Sequence, residues 1–538
     1  MIGMFGNIRD NEIFLPRWNS IMDASPTELD AVKLGLFVSR LESVCEEMGA
    51  VLQRAAFSPN IKDRLDFSCA IFDARGELCA QAAHIPVHLG SMAYAMADIV
   101  SACEWHAGDM VVVNDPFLGG THLPDVTVIA PVFGDEGDLL AFVVNRAHHA
   151  DIGSSTPGSM PLSQHLDEEG VVIPPSYLVR NGVLDYGLLN SWFGEGQHGD
   201  FIAQVSANRS GLLRLIEVIS ALPLPFGAAV NQVQNYAEGI ARRRLAELPH
   251  GRYHFTDYMD DDGFGNSHLA IAVSIELGAG GVVVDFAGTS AQVAGNINCP
   301  LSVAAAAVYY VFRCLMPDEV PVCMGLFRPI TLSAPEGCLV NAQRPAAVAA
   351  GNVETSMRIT DAVLGALAQA VPELIPAASQ GSMNNVAMGG VLNALNEHEV
   401  WNYYETIAGG MGAHANGHGL SAVQSHMTNT LNTPIESLEM HYPLRVRRYA
   451  VRTHSGGGGR YCGGEGVVRE FEFLAPTQFT LLTERRSLAP WGLAGGDAAA
   501  PGRNLFNGEG LPAKVSMRAG SGDVLTIETP GGGGWGKV

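Results

Sequence analysis

The sequence predicts a mixed α+β protein: a long N-terminal helix, several mixed or antiparallel sheets with packed helices, and a glycine-rich β C-terminal part. Three observations carry this reading. Apolar residues recur every three or four positions between Leu29 and Ala55, the spacing of one buried helix face. From Asp66 to Ala150 and again from Tyr253 to Phe286, short apolar runs divided by Gly, Asp and Pro read as strands. The last third carries the glycine clusters Gly409-Gly410, Gly456 to Gly459, Gly463-Gly464 and Gly531 to Gly534, which suit turns and close backbone approach.

The first helix has Ser25 as its expected N-cap, Pro26 at the first helical position and Glu28 three residues after the cap. Its apolar face is expected to comprise Leu29, Val32, Leu36, Leu41, Val44, Met48, Val51, Leu52 and Ala55, ending near Ser58 because Pro59 follows. Phe67 to Phe72 and Leu78 to Ala82 read as paired strands around a turn, and Gly90 to Cys103 as a helix. Met110 to Val113, Val126 to Phe133 and Leu139 to Asn145 read as three more strands. The last two are joined by Gly134-Asp135-Glu136-Gly137-Asp138 as a hairpin. Helices are expected in the stretch past Gln197 that carries Leu212, Leu213, Leu215, Ile216 and Ile219, and at 228–246, 303–315 and 360–370. These elements divide into an extension (1–28), a helix-plus-β unit bearing the site (29–247), a strand and buried-helix region (248–350) and a C-terminal glycine-rich region (351–538).

Bulk properties exclude several classes. At 538 residues the chain is long enough for roughly three or four folded units. Hydrophobic residues make up 47% and charged residues 16%, with a mean hydropathy of +0.14. So little charge for a solvated surface suggests that part of it is covered by another subunit. The formal net charge of −23 argues against a nucleic-acid partner, which would need clustered Lys and Arg. Met1 to Asn19 has no apolar core of a signal peptide, and Leu301 to Met316 is interrupted by Arg313 and too short for a bilayer, so no membrane association is expected. Nine scattered cysteines without a CxxC pair suggest neither a disulfide framework nor a thiolate zinc site, and a cytoplasmic location is expected.

Ligand-type residues concentrate between 114 and 169: Asp115, His122 and Asp125, then Arg146, His148, His149 and Asp151, then His165, Asp167, Glu168 and Glu169. If Asp135 opposes Asp138, opposed residues of the hairpin sum to 273. Asp125 then faces His148, and His122 faces Asp151, at one end of the strand pair. Imidazoles and carboxylates gathered there suit a divalent ion such as zinc or manganese. His84 and His88 form a second pair that either completes this site or shapes a tight loop. Glu436, in Asn429-Thr430-Leu431-Asn432-Thr433-Pro434-Ile435-Glu436, is an acid–base candidate or a helix cap. None of the glycine runs has the GxxxxGK[ST] or GxGxxG form that cradles phosphate between strand and helix.

Several stretches resemble the hydantoinase B family, which includes N-methylhydantoinase B subunits, the matching half of 5-oxoprolinase, and acetone and acetophenone carboxylase subunits. They are SPNIKDRLDFSCAIFD (58–73), HIPVHLGSM (84–92), NDPFLGGTHLPDV (114–126), NRAHHADIG (145–153), PGSM (157–160), DFAGTSAQVAGNIN (285–298), MTNTLNTPIESLE (427–439) and TPGGGGWG (529–536), in order along the chain. The resemblance implies a hetero-oligomer in which a hydantoinase A-type partner binds ATP and magnesium and phosphorylates the substrate oxygen. It places a divalent metal at His148 and Asp151, with His165 as a further ligand. Asp115, His122 and Asp125 are ligands or residues that orient them. Arg146, steadying phosphate charge, His149 and Glu436 are the catalytic candidates. The implied activity is ATP-dependent hydrolysis of a cyclic amide (a hydantoin, 5-oxoproline or a lactam). The alternatives are carboxylation of a ketone and a scaffold role without catalysis. Cys323, His418, His454 and Cys462 depart from the family pattern and leave the substrate open.

Overall fold

A computed structural model describes residues 28–196, 198–394 and 397–538. The chain enters α1 (Ala31–Ala55) and the single turn α2 (Pro59–Lys62), then β1 (Phe67–Asp73), β2 (Leu78–Gln81), α3 (Pro86–Ala102), β3 (Met110–Val113), β4 (Asp125–Phe133) and β5 (Leu139–His148). After β6 (Ser176–Arg180) and β7 (Val183–Leu184) come α4 (Tyr186–Phe193), α5 (Gly199–Ser220) and α6 (Phe226–Ala246). The seven strands form one sheet in the order β2-β1-β5-β4-β3-β6-β7. The expected hairpin register holds: Asp125 pairs with His148 and Val126 with Ala147, with a bulge only next to the turn.

Two expectations for α1 change. Ser25 and Pro26 lie outside the described residues, and the helix begins instead at Ala31, where the Asp30 side chain accepts a hydrogen bond from Lys33 N. Its buried stripe is Phe37, Leu41, Val44, Met48 and Leu52, while Val32 and Leu36 are 73% and 56% exposed. α1 and α5 pack together on one face of the sheet. Strand alternation sends successive residues to opposite faces of the sheet. Asn145 therefore donates to Gln204 O and Asn208 Oδ1 on α5, and Arg146 turns the other way to Ser91 on α3.

Behind α3 lies α7 (Leu301–Cys314), preceded by β8 (Gly251–Asp261), β9 (Ser267–Gly278) and β10 (Gly281–Asp285). α7 and the short α8 (Met324–Phe327) lie in the connection from β10 to β11 (Ile330–Ser333), and the two strands pair in parallel, giving a mixed sheet β11-β10-β9-β8. α9 (Ser356–Leu367) packs on β8 and β9. It is entered through a π-helical turn, Gly351–Thr355. This turn is why the helix starts ahead of the expected Thr360. Two antiparallel sheets make up the C-terminal region. One holds strands Asn385–Ala394, Glu397–Glu405, Thr477–Leu482 and Lys514–Ala519; the other holds Leu444–Arg452, Gly466–Phe473, Arg503–Phe506, Glu509–Leu511 and Val524–Glu528. A second core, with Val386, Met388, Phe471, Phe473, Phe479, Leu525 and Ile527, fills the space between them.

The glycines at 531–534 are needed for close backbone contact. A Cβ on Gly532 would stand 2.0 Å from Met411 O and one on Gly534 would stand 2.0 Å from Gly458 O. Gly532 N bonds Gly464 O, Gly533 N bonds Ala378 O and Gly534 N bonds Asp497 O, so this strip ties three distant segments together. The fold is α+β, as expected. No helix among the described residues is long and apolar enough to cross a membrane.

Candidate metal centre

The end of the β4–β5 ladder brings a carboxylate and imidazoles together. Asp125 opens β4 and His148 closes β5 directly opposite it. His122 sits three residues earlier on the loop into β4, and His88 reaches in from the first turn of α3. All four are buried. Oxygen Oδ2 of Asp125 accepts from Thr121 Oγ1 at 2.5 Å and from Asn352 Nδ2 at 3.4 Å. The other oxygen, Oδ1, lies 3.2 Å from His88 Nε2, 3.2 Å from His122 Nε2 and 3.4 Å from His148 Nδ1.

The surroundings fix each ring. His122 Nδ1 lies 3.3 Å from Ala349 O. A proton there leaves Nε2 with a free lone pair toward Asp125, the usual way an outer hydrogen bond sets a ligand's tautomer. His148 stacks on Tyr404, with ring centroids 4.8 Å apart and 7° between planes. His88 Nδ1 lies 3.4 Å from Ser68 Oγ. Asp66, immediately before β1, stands at the edge: Oδ1 is 3.9 Å from His88 Nε2 and Oδ2 is 3.7 Å from Arg64 Nη2.

These side chains fit a divalent cation. His122 Nε2, Asp125 Oδ1 and His148 Nε2 are buried without a hydrogen-bond partner. Candidate ligand atoms of His122, Asp125 and His148 all lie within 4.8 Å of one another. Burial alone would push the Asp125 carboxyl up, yet His122 and His88 outweigh it and hold it well below the usual range. Burial likewise opposes charge on His122, but Asp125 raises it overall, whereas burial dominates at His148 and lowers it. The Asp125 carboxylate thus favours positive charge beside it. Nitrogen and oxygen donors without a thiolate suit zinc or manganese.

Other sequence candidates are placed elsewhere. The ladder stops at Asp125 and His148, so His122 does not pair with Asp151. Past that point the chain turns away, and the Asp151 carboxylate accepts from Gly153 N and Asn402 Nδ2. His165 is exposed at the start of the turn Leu166–Glu168. Asp115 caps Phe117 N and pairs with Arg344. Arg146 is buried with its donors taken by Thr127 Oγ1, Ser91 Oγ and Gly119 O, so it clamps the loop that carries His122. His149 falls on the opposite face of β5, against Phe201 and 2.9 Å from Gln204 Oε1. Glu436 is exposed in the first turn of α10 (Ile435–His441). Of the second histidine pair, only His88 joins the group; His84 Nδ1 accepts from Cys69 N, and burial pushes its pKa down to about 4.

Asp66, Asn352 and Tyr404 were not singled out from sequence. For Asp66 a signal existed. β1 pairs with β5 so that Phe67 faces Ala147, and continuing that register sets Asp66 against His148, whose N–H donates to Asp66 O at 3.0 Å. Asn352 and Tyr404 arrive from more than 200 residues away, beyond any local pattern.

The fold and site define an α+β protein with a buried histidine–aspartate centre at one sheet end. Compared with known proteins, residues 30–538 match the family model Hydantoinase B/oxoprolinase. The chain is 39% identical over 532 residues to a 5-oxoprolinase of Dictyostelium discoideum, covering 95% of this chain but 41% of that relative's length. It is 34% identical to the putative B-type subunit of a D-/L-hydantoinase from Pseudomonas sp. (strain NS671), covering 95% of this chain and 90% of that one. The crystal structure of the ATP-dependent caprolactamase from Pseudomonas jessenii superposes with a TM-score of 0.87 at 28% identity, over 95% of this chain and 91% of that one. The chain belongs to the hydantoinase B/oxoprolinase family.

Proposed function

We propose that this chain is the metal-bearing B-type subunit of an ATP-dependent enzyme that hydrolyses a cyclic amide. A hydantoinase A-type partner would handle ATP. The observation that carries this reading is the convergence of His88, His122 and His148 on the one unpartnered oxygen of Asp125. The family relationship over nearly the whole chain supports the substrate class. A relative named as one of a hydantoinase's subunits supports the partner, as does a 5-oxoprolinase of whose length this chain spans 41%.

His88, His122, His148 and Asp125 would hold the ion, with Asp66 beside them. A divalent ion bound there supplies a Lewis acid for a carbonyl oxygen and acidifies a water. The protein groups have separate tasks. Thr121 and Asn352 hold Asp125 Oδ2, so that Oδ1 stays turned inward. Tyr404 orients the His148 ring, and burial of the whole group keeps bulk water from an activated substrate.

The test is to assemble the chain with an A-type partner and supply ATP with hydantoin, 5-oxoproline or caprolactam. Ring opening coupled to ATP consumption is the expected result. ATP consumption only with a ketone and bicarbonate would overturn hydrolysis in favour of carboxylation.

A further inference from the structure

Beside the metal centre lies a small cavity whose walls include His88 and His148, the polar groups Asn352 and Thr428, and the apolar side chains Val87, Val353, Met383 and Met427. Two of its polar groups have unmet hydrogen-bonding capacity. Asn352 is 3% exposed and Thr428 is 4% exposed. Asn352 Nδ2 donates to Asp125 Oδ2. A carboxylate only accepts, so this contact decides which end of the amide faces Asp125. Asn352 Oδ1, an acceptor, is left buried without a partner, and so is Thr428 Oγ1.

The backbone that carries Asn352 is unusual. Asn352 belongs to the π-helical turn Gly351–Thr355, a geometry that recurs at functional sites. The turn is possible because Gly351 has no Cβ; one placed there would stand 1.8 Å from Asn298 O. Thr428 lies on a segment where Gln424, Ser425 and His426 also carry buried, unpartnered polar atoms. The lining mixes apolar side chains with converging polar groups, and placed polar groups are what orient a small molecule in its site.

We propose that Asn352 and Thr428 form the amide-recognising subsite of this chamber. Asn352 Oδ1 accepts the N–H of a cyclic secondary amide, and the Thr428 hydroxyl donates to its carbonyl oxygen. The inference rests on the cyclic-amide reading and narrows it to rings whose nitrogen bears a hydrogen, because an N-alkylated ring has nothing to donate to Asn352. The cavity, about 20 Å³, has room for one water-sized body. The subsite therefore requires the Met383 and Met427 side chains, unbranched and adaptable, to turn aside before a ring enters.

Direct binding tests this without relying on turnover. The zinc-loaded full chain is titrated with 5-oxoproline and with N-methyl-5-oxoproline, and zinc content is measured in parallel for every variant. Wild type should prefer the N–H ring by at least tenfold. Asn352→Ala should remove that preference, by weakening the N–H ring and leaving the N-methyl ring unchanged. Thr428→Val should weaken both rings about tenfold, and Thr428→Ser should restore them. A merely structural role would weaken both rings equally in Asn352→Ala. That result would overturn the subsite, as would equal binding of the two rings by wild type or variants that bind as wild type does. Failure of wild type to bind either ring would remove this subsite together with the cyclic-amide reading. Selective binding without ATP-driven ring opening in the assembled complex would leave the subsite standing and remove only the proposed reaction.

Discussion

Asp125 has two differently placed oxygens, one locked by Thr121 and Asn352 and the other turned toward three imidazoles. Replacing Asp125 by Asn keeps the shape but removes the charge that offsets a cation. Asp125→Asn and His148→Ala should each strip the protein of divalent metal, while Asp151→Ala, whose carboxylate bonds Gly153 N and Asn402, should retain it. Metal content by mass spectrometry of purified protein decides between them, and loss of metal in Asp151→Ala would reject this ligand set. At this scale the Asp125–His148 pairing was legible because strand pairing is arithmetic once a turn is placed. The limit of that arithmetic was not legible. A register predicts partners only while the strands last, and these end at His148.

At the scale of elements, β5 separates two environments with consecutive residues. Arg146 and His148 face α3 and the candidate metal centre, while Asn145 and His149 face α5. Adjacent histidines in the motif thus have unrelated roles, which alternation along a strand could have told. His149→Ala should lose its bond to Gln204 and its packing on Phe201, costing about 1–3 kcal/mol of stability, with metal content unchanged. Denaturant unfolding read beside metal analysis checks both halves of that statement. The long helices, the hairpin and the strands of the first sheet were readable from periodicity. The π-turn that delivers Asn352 was not, because it depends on how closely Gly351 approaches Asn298 O, far away in sequence.

Across the whole molecule, a buried ionic lattice joins distant parts. Arg485 pairs with Asp257 of β8 at 2.7 Å and with Asp361 of α9 at 2.5 Å, and Glu484 pairs with Lys514 at 2.6 Å and Arg358 at 3.2 Å. Removing one member strands buried charge, so Arg485→Met should cost about 3–5 kcal/mol, measured as a lowered denaturation midpoint. Within the same lattice, burial and the nearby Glu484 push the Glu354 carboxyl up to about 8, against the pull of Lys514. The folded chain therefore binds this proton more tightly than the unfolded chain, whose value is near 4.5. The associated stability is fully present below about 4.5 and is lost as pH rises through about 8. Glu354→Gln mimics the protonated acid and lacks this dependence. Its Tm should gain on the wild type between pH 5 and pH 8.5, and a constant difference would reject the assignment. None of these pairs could be made from sequence, since each joins two different elements. The strip at residues 531–534 has a consequence in time. It bonds Ala378, Gly464 and Asp497 through its own backbone, so those segments cannot be joined until residue 534 has left the ribosome. The first sheet can assemble before residue 534 is made, whereas closure of the C-terminal region waits for it, and until then its separate parts are the ones exposed to chaperones and proteases.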